Sequence, residues 1–590
     1  MYFGAVPYQS DDEVKWRSLR NSVRQEIRLA KQKFYSEAVQ QLKQNDPRKW
    51  HSQIQKLCHL KPKRTMVPGA KEDPRATSEV INRHFANICN QLPPLKLECL
   101  PSYLPAETAP PEIFAGQVWK ALKGLNPSKA SHPSDLPARL IREFADELAP
   151  PLTHLFNACL HDGVFPSCWK TATIVSIPKE RNINSLDQLR PISLTPVFAR
   201  VFESFLAKWI LEDISPQLDP RQYGNTKGSS TVHYLVDMLN YLREGLDKPG
   251  HYANLCAIDF TKAFDRVDHN IVITKLIKLG VRRSIIPTVC SFLTERTHNT
   301  KLNGHFSSTQ NISCGVPQGT KLGPILFLVL VNDVTIEDCR QWKYVDDLTL
   351  GEVVKYGQQM HMQSYLNELS CWCKENNVLP KPSKCQTMTV SFLKRNVPES
   401  LLSLESVALK RVTSVKLLGV TVQSNLKWDA HLTEIVSKAS RRLYTLCILR
   451  RAGLPILDMV AVYTCYIRPI LEYTSQVWHS SINDQQTRAI ENIQKRAARI
   501  ILGHKYDTYV TALEVLGIPS LESRRDNLLH KFGNKLLNSI RFRDMLPPKK
   551  ESVSGREFRA STSAGLLVPK CRTERYKRST ILTLARTIRL

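Results

Sequence analysis

Three aspartates at two places in the chain carry the densest chemistry. Asp346 and Asp347 stand side by side in QWKYVDDLTL (341–350), inside an apolar, aromatic stretch, and Asp259 closes the run NLCAIDF (254–260). Adjacent carboxylates in such surroundings must stay solvated, take up a proton at a raised pKa, or hold a cation. A solvated β-turn also satisfies the doublet, and a cap or turn satisfies a lone Asp at a strand end. The shared parity of Tyr344, Asp346, Leu348 and Leu350 predicts a tight β-hairpin with the aspartates at its tip. The small and branched apolar residues before Asp259 predict a buried strand. If the hairpin lies beside that strand, three carboxylates converge at one end of a sheet. Such a cluster is strongly unfavourable without divalent cations, and two magnesium ions about 4 Å apart would remove the repulsion. The same ions can activate an attacking hydroxyl and stabilise a leaving pyrophosphate, which is phosphoryl transfer at a nucleotide α-phosphate.

The elements that must position these residues are spread over a long chain. At 590 residues it exceeds one core, and several domains are expected. Lys and Arg number 82 against 54 Asp and Glu, a net charge of +28 that favours a polyanionic partner. The N-terminal MYFGAVPYQSDDEV has no basic segment followed by an apolar run, so it does not read as a secretory signal. The longest apolar run, Pro324–Val331, is far short of the roughly 20 residues of a spanning helix. Nucleic acid is therefore the expected partner, and a membrane is not. The 15 cysteines are an odd number without a framework, which suits a reducing compartment. Cys371 and Cys373 lack the CxxC spacing or a nearby His of a zinc set and read as small buried apolar residues, so no zinc is expected.

Residues 13–44 read as a basic amphipathic helix, with Leu19, Val23, Ile27, Ala30, Phe34 and Leu42 on one stripe and Arg17, Arg20, Arg24, Arg28, Lys31 and Lys33 elsewhere. A Pro-rich stretch at 92–112 breaks the periodicity as a linker would. Helical and strand-like segments then alternate to about 423, and from 429 to 502 the pattern is helical. Leu432, Ile435, Val436, Ala439, Leu443 and Leu446 form one apolar stripe, stopped by Arg450, Arg451 and Gly453. Ile490, Ile493, Ala497, Ile500 and Ile501 form another, with Arg488, Lys495, Arg496 and Arg499 on other faces, as a phosphate backbone would require.

Several segments, taken in order, resemble one family. Asp259 with Phe264, then SCGVPQGTKLGPILF (313–327), then YVDD (344–347) look like successive palm motifs of a reverse transcriptase. Upstream, VFPSCWKTATIVSIPKE (164–180), LRPISLTPVFARVFESFL (189–206) and RQYGNTKGSSTVHYL (221–235) resemble the fingers of non-LTR (LINE-type) retrotransposon enzymes. Downstream, VKLLGVTVQSNLKWDAHL (415–432) resembles the primer grip, and YIRPILEYTSQVWHSSI and ENIQKRAARIILG the helical segment after it. LRNSVRQEIRLAKQKFY (19–35) looks like the linker after the endonuclease of jockey-like and chicken-repeat-like elements, so the chain is expected to lack that N-terminal domain. KASHPSD (129–135) lacks the glycine usual in the family, and Lys381 stands where Asn is usual.

The resemblance implies an α+β right-hand polymerase fold: a basic helical extension over 1–91, the linker 92–112, fingers and palm with an antiparallel sheet over 113–423 (core about 158–423), a helical thumb-like region over 424–530 and a basic tail over 531–590. It assigns the metals to Asp259, Asp346, Asp347 and the carbonyl of Phe260. The metals would be two magnesium ions, with manganese able to replace them. Lys179 and Arg190 would grip the incoming triphosphate, where a fork of donors suits an anion. Gln318 would lie along the nucleotide, with Gly315 and Gly319 admitting close backbone approach. Phe264 would exclude a 2′-hydroxyl, and Lys384 would give a proton to pyrophosphate. Each of these also fits a plain surface cation, a turn or a core aromatic. The expected partners are an RNA template, a DNA primer, deoxynucleotides and the element's own RNA, within the cell in nucleus and cytoplasm. The sequence leaves the oligomeric state open. Competing readings are an RNA-directed RNA polymerase with the same palm chemistry, against which Phe264 and YVDD argue, and a polymerase-inactive nucleic-acid-binding remnant.

The charge makes one expectation measurable. Affinity for a primed template should depend weakly on sequence, with a log–log salt slope near −4 to −5 if about 6 phosphates are neutralised. Fluorescence-anisotropy titrations across salt concentrations read this slope.

Overall fold

The computed structural model describes residues 10–57, 72–96, 109–180, 183–398, 401–549 and 565–588; residues 1–9, 97–108 of the Pro-rich stretch and 550–564 of the tail lie outside them. The chain divides into a helical unit (Met1–Arg64, Leu235–Asp247 and Lys416–Leu590) and a sheet unit (Thr65–Tyr234 and Lys248–Val415). The segment expected as a single N-terminal extension is thus shared between the two.

The strands of the sheet unit are β1 (Thr171–Pro178), β2 (Leu189–Leu194), β3 (His251–Ile258), β4 (Arg296–Leu302), β5 (His305–Phe306), β6 (Gln310–Ile312), β7 (Arg340–Tyr344), β8 (Asp347–Lys355), β9 (Gln386–Val390), β10 (Ser403–Leu404), β11 (Val407–Ala408) and β12 (Lys410–Arg411). One sheet runs β2-β1-β4-β5, with β6 also on β4, and a second runs β12-β9-β3-β8-β7. The second holds the expected strand and hairpin. β3 pairs antiparallel with β8 on one side and β9 on the other, so its backbone groups are met from both edges. Its middle residues Tyr252–Cys256 are all buried, which is why it reads as a continuous apolar run and not as an alternation.

The core beneath the sheets is built from helices. Pro324–Val331 is no membrane segment: the helix Gly323–Leu330 buries nearly every residue within this core. Glu203, itself buried, accepts from the backbone N–H groups of Lys321 (2.6 Å) and Leu322 (3.2 Å) at the start of that helix, where a carboxylate complements the dipole. Phe156, Phe165, Phe202 and Trp169 form an aromatic cluster with centroids 5.1–6.1 Å apart. Cys373 is buried as expected, but Cys371 is exposed. Two residues apart on the helix Met362–Glu375, the two cysteines point to different faces. Among the described residues no helix is long and apolar enough to cross a membrane.

In the helical unit the helices Asp429–Arg451 and Asp484–Leu502 bury the two stripes read from the sequence, Leu432, Ile435, Ala439, Leu443 and Leu446 on one and Ile490, Ile493, Ala497 and Ile501 on the other. The basic helix Ser10–Phe34 forms, but Leu19, Val23, Ile27 and Phe34 of its stripe are exposed. A π-turn at Tyr35–Val39 shifts the helical phase, and burial passes to Tyr35, Val39, Trp50 and Ile54. These residues are tied to the helix Ile456–Val462 through Asp458, whose buried carboxylate accepts from the Tyr35 hydroxyl and the Lys43 ammonium. Trp50 Nε1 in turn donates to the Tyr35 hydroxyl at 3.2 Å.

Removing a carboxylate that satisfies two buried or half-buried donors is costly. Asp458→Ala is expected to cost about 3 kcal/mol of this unit's stability, because the donors remain without an acceptor. Lys43→Ala, which removes a partly exposed partner, is expected to cost about 1 kcal/mol or less. Urea denaturation of the two variants makes the comparison.

Candidate active site

The backbone register assembles the three aspartates. β3 and β8 pair Ile258 with Leu348, so the next step along the ladder sets Asp259 opposite Asp347. β7 and β8 pair Tyr344 with Asp347, which leaves Val345 and Asp346 as the two-residue tip of the hairpin. The expected juxtaposition is therefore present. Its electrostatics follow: burial against the surrounding protein, then Asp346, then Asp259 push the Asp347 carboxyl up to about 6. Asp346 is raised by burial and by Asp259, while Arg190 pulls it down. Both side chains still open to solvent on one side, where a ligand can approach.

Phe260 forms an isolated bridge with Pro380, flanked by hydrogen bonds from Thr261 N–H to Leu379 O and from Lys381 N–H to Asp259 O, each 2.7 Å. The bonds leave the Phe260 carbonyl outside the pairing, available as an oxygen ligand. Among the described residues no three His, Cys, Asp or Glu side chains stand close enough to enclose a metal alone. A cation here would need oxygen from the backbone and from a bound phosphate as well, which suits hard ions that keep several non-protein ligands.

A positive pole faces this negative one. β1 and β2 pair Ile177 with Arg190, and Lys179 N–H continues the ladder to Gln188 O at 2.7 Å. Lys179 and Arg190 are thus diagonal neighbours on one face. Burial first, then Lys262, Lys384 and Arg190 lower the Lys179 pKa, placing four cations in one field. Lys262 is the member that sequence reasoning missed: it pairs with the exposed Asp187 at 3.2 Å and holds a positive φ of 49° between Asp259 and Phe264. Its position in TKAFD (261–265), between Asp259 and Phe264 of the same motif, was the available signal.

The loop carrying Gln318 is seated by backbone bonds. Gly315 N–H reaches Val267 O and Val316 N–H reaches Phe264 O, each 2.8 Å, and Ser193 N–H donates to Gln318 O at 2.8 Å. A Cβ on Gly315 would lie 2.5 Å from Asp265 O, and one on Gly319 2.5 Å from Ser193 O, so both glycines are required by close approach. Gln318 Nε2 donates to Asp265 Oδ1 at 2.8 Å. Asp265, a second missed residue, is buried, and its burial raises its pKa while Gln318, Lys262 and Lys179 oppose. Phe264 is half-buried and stacks on Phe327 with centroids 4.5 Å apart. In KASHPSD, Asp135 accepts from Val197 N–H at 3.2 Å and so caps the helix Val197–Ile214. Arg488, Lys495, Arg496 and Arg499 all lie on the helix Asp484–Leu502 of the other unit; Lys495 sits over Tyr509, Arg499 over Tyr506, and Arg496 donates to Ser440.

Residues 177–422 match the family described as reverse transcriptase (RNA-dependent DNA polymerase). They contain all three aspartates, Lys179, Arg190, Phe264, Gln318 and Lys384. The chain is 28% identical over 418 residues to the RNA-directed DNA polymerase from mobile element jockey of Drosophila melanogaster, covering 68% of this chain and 45% of that protein. It is 27% identical over 418 residues to a probable RNA-directed DNA polymerase from transposon BS of the same fly, covering 68% and 46%. A jockey polymerase of Drosophila funebris is 26% identical over 442 residues, covering 71% and 47%. The chain spans just under half the length of these relatives.

The raised carboxyl of Asp347 fixes the sign of a pH effect. A folded-state pKa near 6 against an ordinary carboxylate value favours the protonated native state, so its contribution is present at low pH and lost as pH rises through about 6. In EDTA, Asp347→Asn is expected to melt at or above wild type at pH 8 and to lose that advantage at pH 4.5. Adding Mg2+ at pH 8 should raise the wild-type melting temperature and leave the variant nearly unmoved. Differential scanning fluorimetry checks both.

Proposed function

We propose that this chain is an RNA-directed DNA polymerase of a non-LTR, jockey-like retrotransposon, extending a DNA primer on an RNA template. The observation that carries the reading is the convergence of Asp259, Asp346 and Asp347 at one sheet end, inside the matched residues, opposite a group of cations. On this reading the sheet unit supplies fingers and palm, and the helices that follow supply the thumb. Two magnesium ions, or manganese with the same charge and oxygen preference, would bind Asp259, Asp346, Asp347 and the Phe260 carbonyl and supply the charge that activates a primer 3′-hydroxyl and stabilises pyrophosphate.

The chain's own residues do the positioning. Lys179, Arg190 and Lys384 would hold the triphosphate, and Lys384 would pass a proton to the departing pyrophosphate. Gln318, its amide fixed by Asp265, would lie along the nucleotide. Phe264, held by Phe327, would stand beneath the sugar and exclude a 2′-hydroxyl. Arg488, Lys495, Arg496 and Arg499 would take phosphates of the primer–template, through weakly sequence-dependent contacts.

A primer-extension assay on a primed RNA template tests this reading. Wild type should extend with deoxynucleotides in Mg2+. Asp346→Asn should lose extension by more than about 100-fold while binding the template nearly as well, since no phosphate contact is removed. Phe264→Ala should accept UTP beside dTTP with little loss of dTTP use. An unchanged dTTP-to-UTP ratio in kcat/KM, with both lowered, would place Phe264 in a core role alone. Absent wild-type extension would favour a nucleic-acid-binding remnant, and extension with ribonucleotides only would favour an RNA-directed RNA polymerase.

A further inference from the structure

The segment Asp219–Gly224, which leads into the quoted RQYGNTKGSSTVHYL stretch (221–235), has no role in the chemistry above, yet it runs alongside the aspartate hairpin. Lys343 N–H donates to Arg221 O at 3.0 Å, and Tyr223 N–H donates to Lys343 O at 2.8 Å, a short parallel bridge centred on Gln222 and Lys343. Side chains lock this bridge in place. The Lys343 ammonium, almost wholly buried, pairs with the equally buried Asp219 at 2.6 Å and donates to the carbonyls of Val331, Asn332 and Val334 at 3.0–3.1 Å. The Asp219 carboxylate also accepts from Arg221 N–H at 2.9 Å.

Two further contacts reach the tip itself. Gln222 is fully buried, and its Oε1 accepts from Gly224 N–H at 2.9 Å and from Val345 N–H at 3.1 Å. A Cβ on Gly224 would stand 2.5 Å from Val345 N and 2.6 Å from Val345 Cγ2, so only glycine fits beneath the turn. Val345 has a φ of 59°, in the left-handed region that a β-branched residue rarely adopts. Such a residue persists there only when its surroundings over-determine it. It immediately precedes Asp346, so its φ aims both carboxylates.

We propose that Asp219–Gly224 is a brace that holds the Val345–Asp346 turn in its strained form, making Gln222 and Gly224 positioning residues for the Asp346 and Asp347 carboxylates. The brace counters two forces that would open the tip. The turn relaxes if Val345 returns to negative φ, and adjacent carboxylates move apart if nothing holds their backbone. Gln222 opposes the first by occupying the Val345 N–H, and Gly224 by packing against it. The buried Asp219–Lys343 pair anchors the brace to β7 behind the tip. The role in catalysis rests on the polymerase reading; the mechanical role does not.

The test therefore has an arm that needs no activity. Hydrogen exchange followed by mass spectrometry is measured on wild type, Gln222→Met, Gly224→Ala, and Gln222→Met combined with Val345→Asn, since Asn tolerates positive φ. Gln222→Met should speed exchange in peptides spanning 343–348 by about tenfold or more, with β9 peptides unchanged, and Val345→Asn should recover part of that protection. The same variants are titrated with Mg2+ by thermal shift and assayed for extension. Gln222→Met should raise the Mg2+ midpoint about tenfold and lower kcat about 100-fold, with the dTTP KM and the primer–template Kd within about threefold. Should Gly224→Ala fail to fold, Gln222→Met carries the test alone. Unchanged exchange at 343–348 in Gln222→Met overturns the brace. Faster exchange there with an unmoved Mg2+ midpoint and kcat overturns its positioning role. A wild type that extends no primer, with faster tip exchange in Gln222→Met, supports the brace and overturns the polymerase reading instead.

Discussion

Repulsion among Asp259, Asp346 and Asp347 is the constraint around which the sheet unit is arranged. The ladder between β3 and β8 leaves these carboxylates no freedom to separate along the strands, because Asp259 and Asp347 face each other by register. Burial first, and this repulsion after it, raise the Asp347 carboxyl to about 6. Nearby, burial and then the charges of Lys262, Lys384 and Arg190 lower the Lys179 pKa. Each pole is unfavourable alone, and on the proposed reading the two would complement a metal-bound triphosphate, with cations at the carboxylates and phosphate oxygens at the lysines and arginine. Asp187, exposed and paired with Lys262, is the sort of counter-ion that a stronger anion displaces.

The precision of this arrangement comes first from backbone pairing, to which buried side chains such as Gln222 and Asp265 add single fixed contacts. β3 is paired on both edges, the loop bearing Gln318 is tied to the segment after Asp259 by Gly315 and Val316 N–H groups, and Ser193 joins it to β2. Backbone bonds fix positions that long lysine and arginine side chains cannot fix for themselves, since those side chains lose rotamer entropy whenever they are held. The side chains therefore inherit their geometry from register.

This explains which parts were legible beforehand. Hairpin, buried strand and the two apolar helical stripes are local patterns of period 2 or 3.6, and residue types alone announce them. The aspartate triad was legible because two local patterns each ended on a carboxylate. Lys343 drew no reading, because nothing near it in sequence points to Asp219, its buried partner. Gln222 and Asp265 act on residues 123 and 53 positions away, separations at which no periodicity survives. The apolar stripe of the basic helix misled for a related reason: periodicity shows a helix can be amphipathic, whereas the π-turn after Phe34 decides which residues find a core. The assembly of 1–64 with the helices beyond 416 is likewise a matter of long-range contact.

Phe264 shows why core and functional roles need not exclude each other. Its ring stacks on the buried Phe327, so one face belongs to the core, while the residue remains partly exposed five positions after Asp259. Steric exclusion of a hydroxyl demands a wall that does not yield, and a free aromatic on a loop would rotate away at little cost. Stacking against a packed neighbour removes that freedom, because interiors are close-packed and displacement of one ring strains the next. The same contact that makes Phe264 a core aromatic would thus, on the proposed reading, make it rigid enough to discriminate between sugars. The choice between deoxyribose and ribose would then be set by the packing behind the ring, at Phe327, as much as by the ring itself.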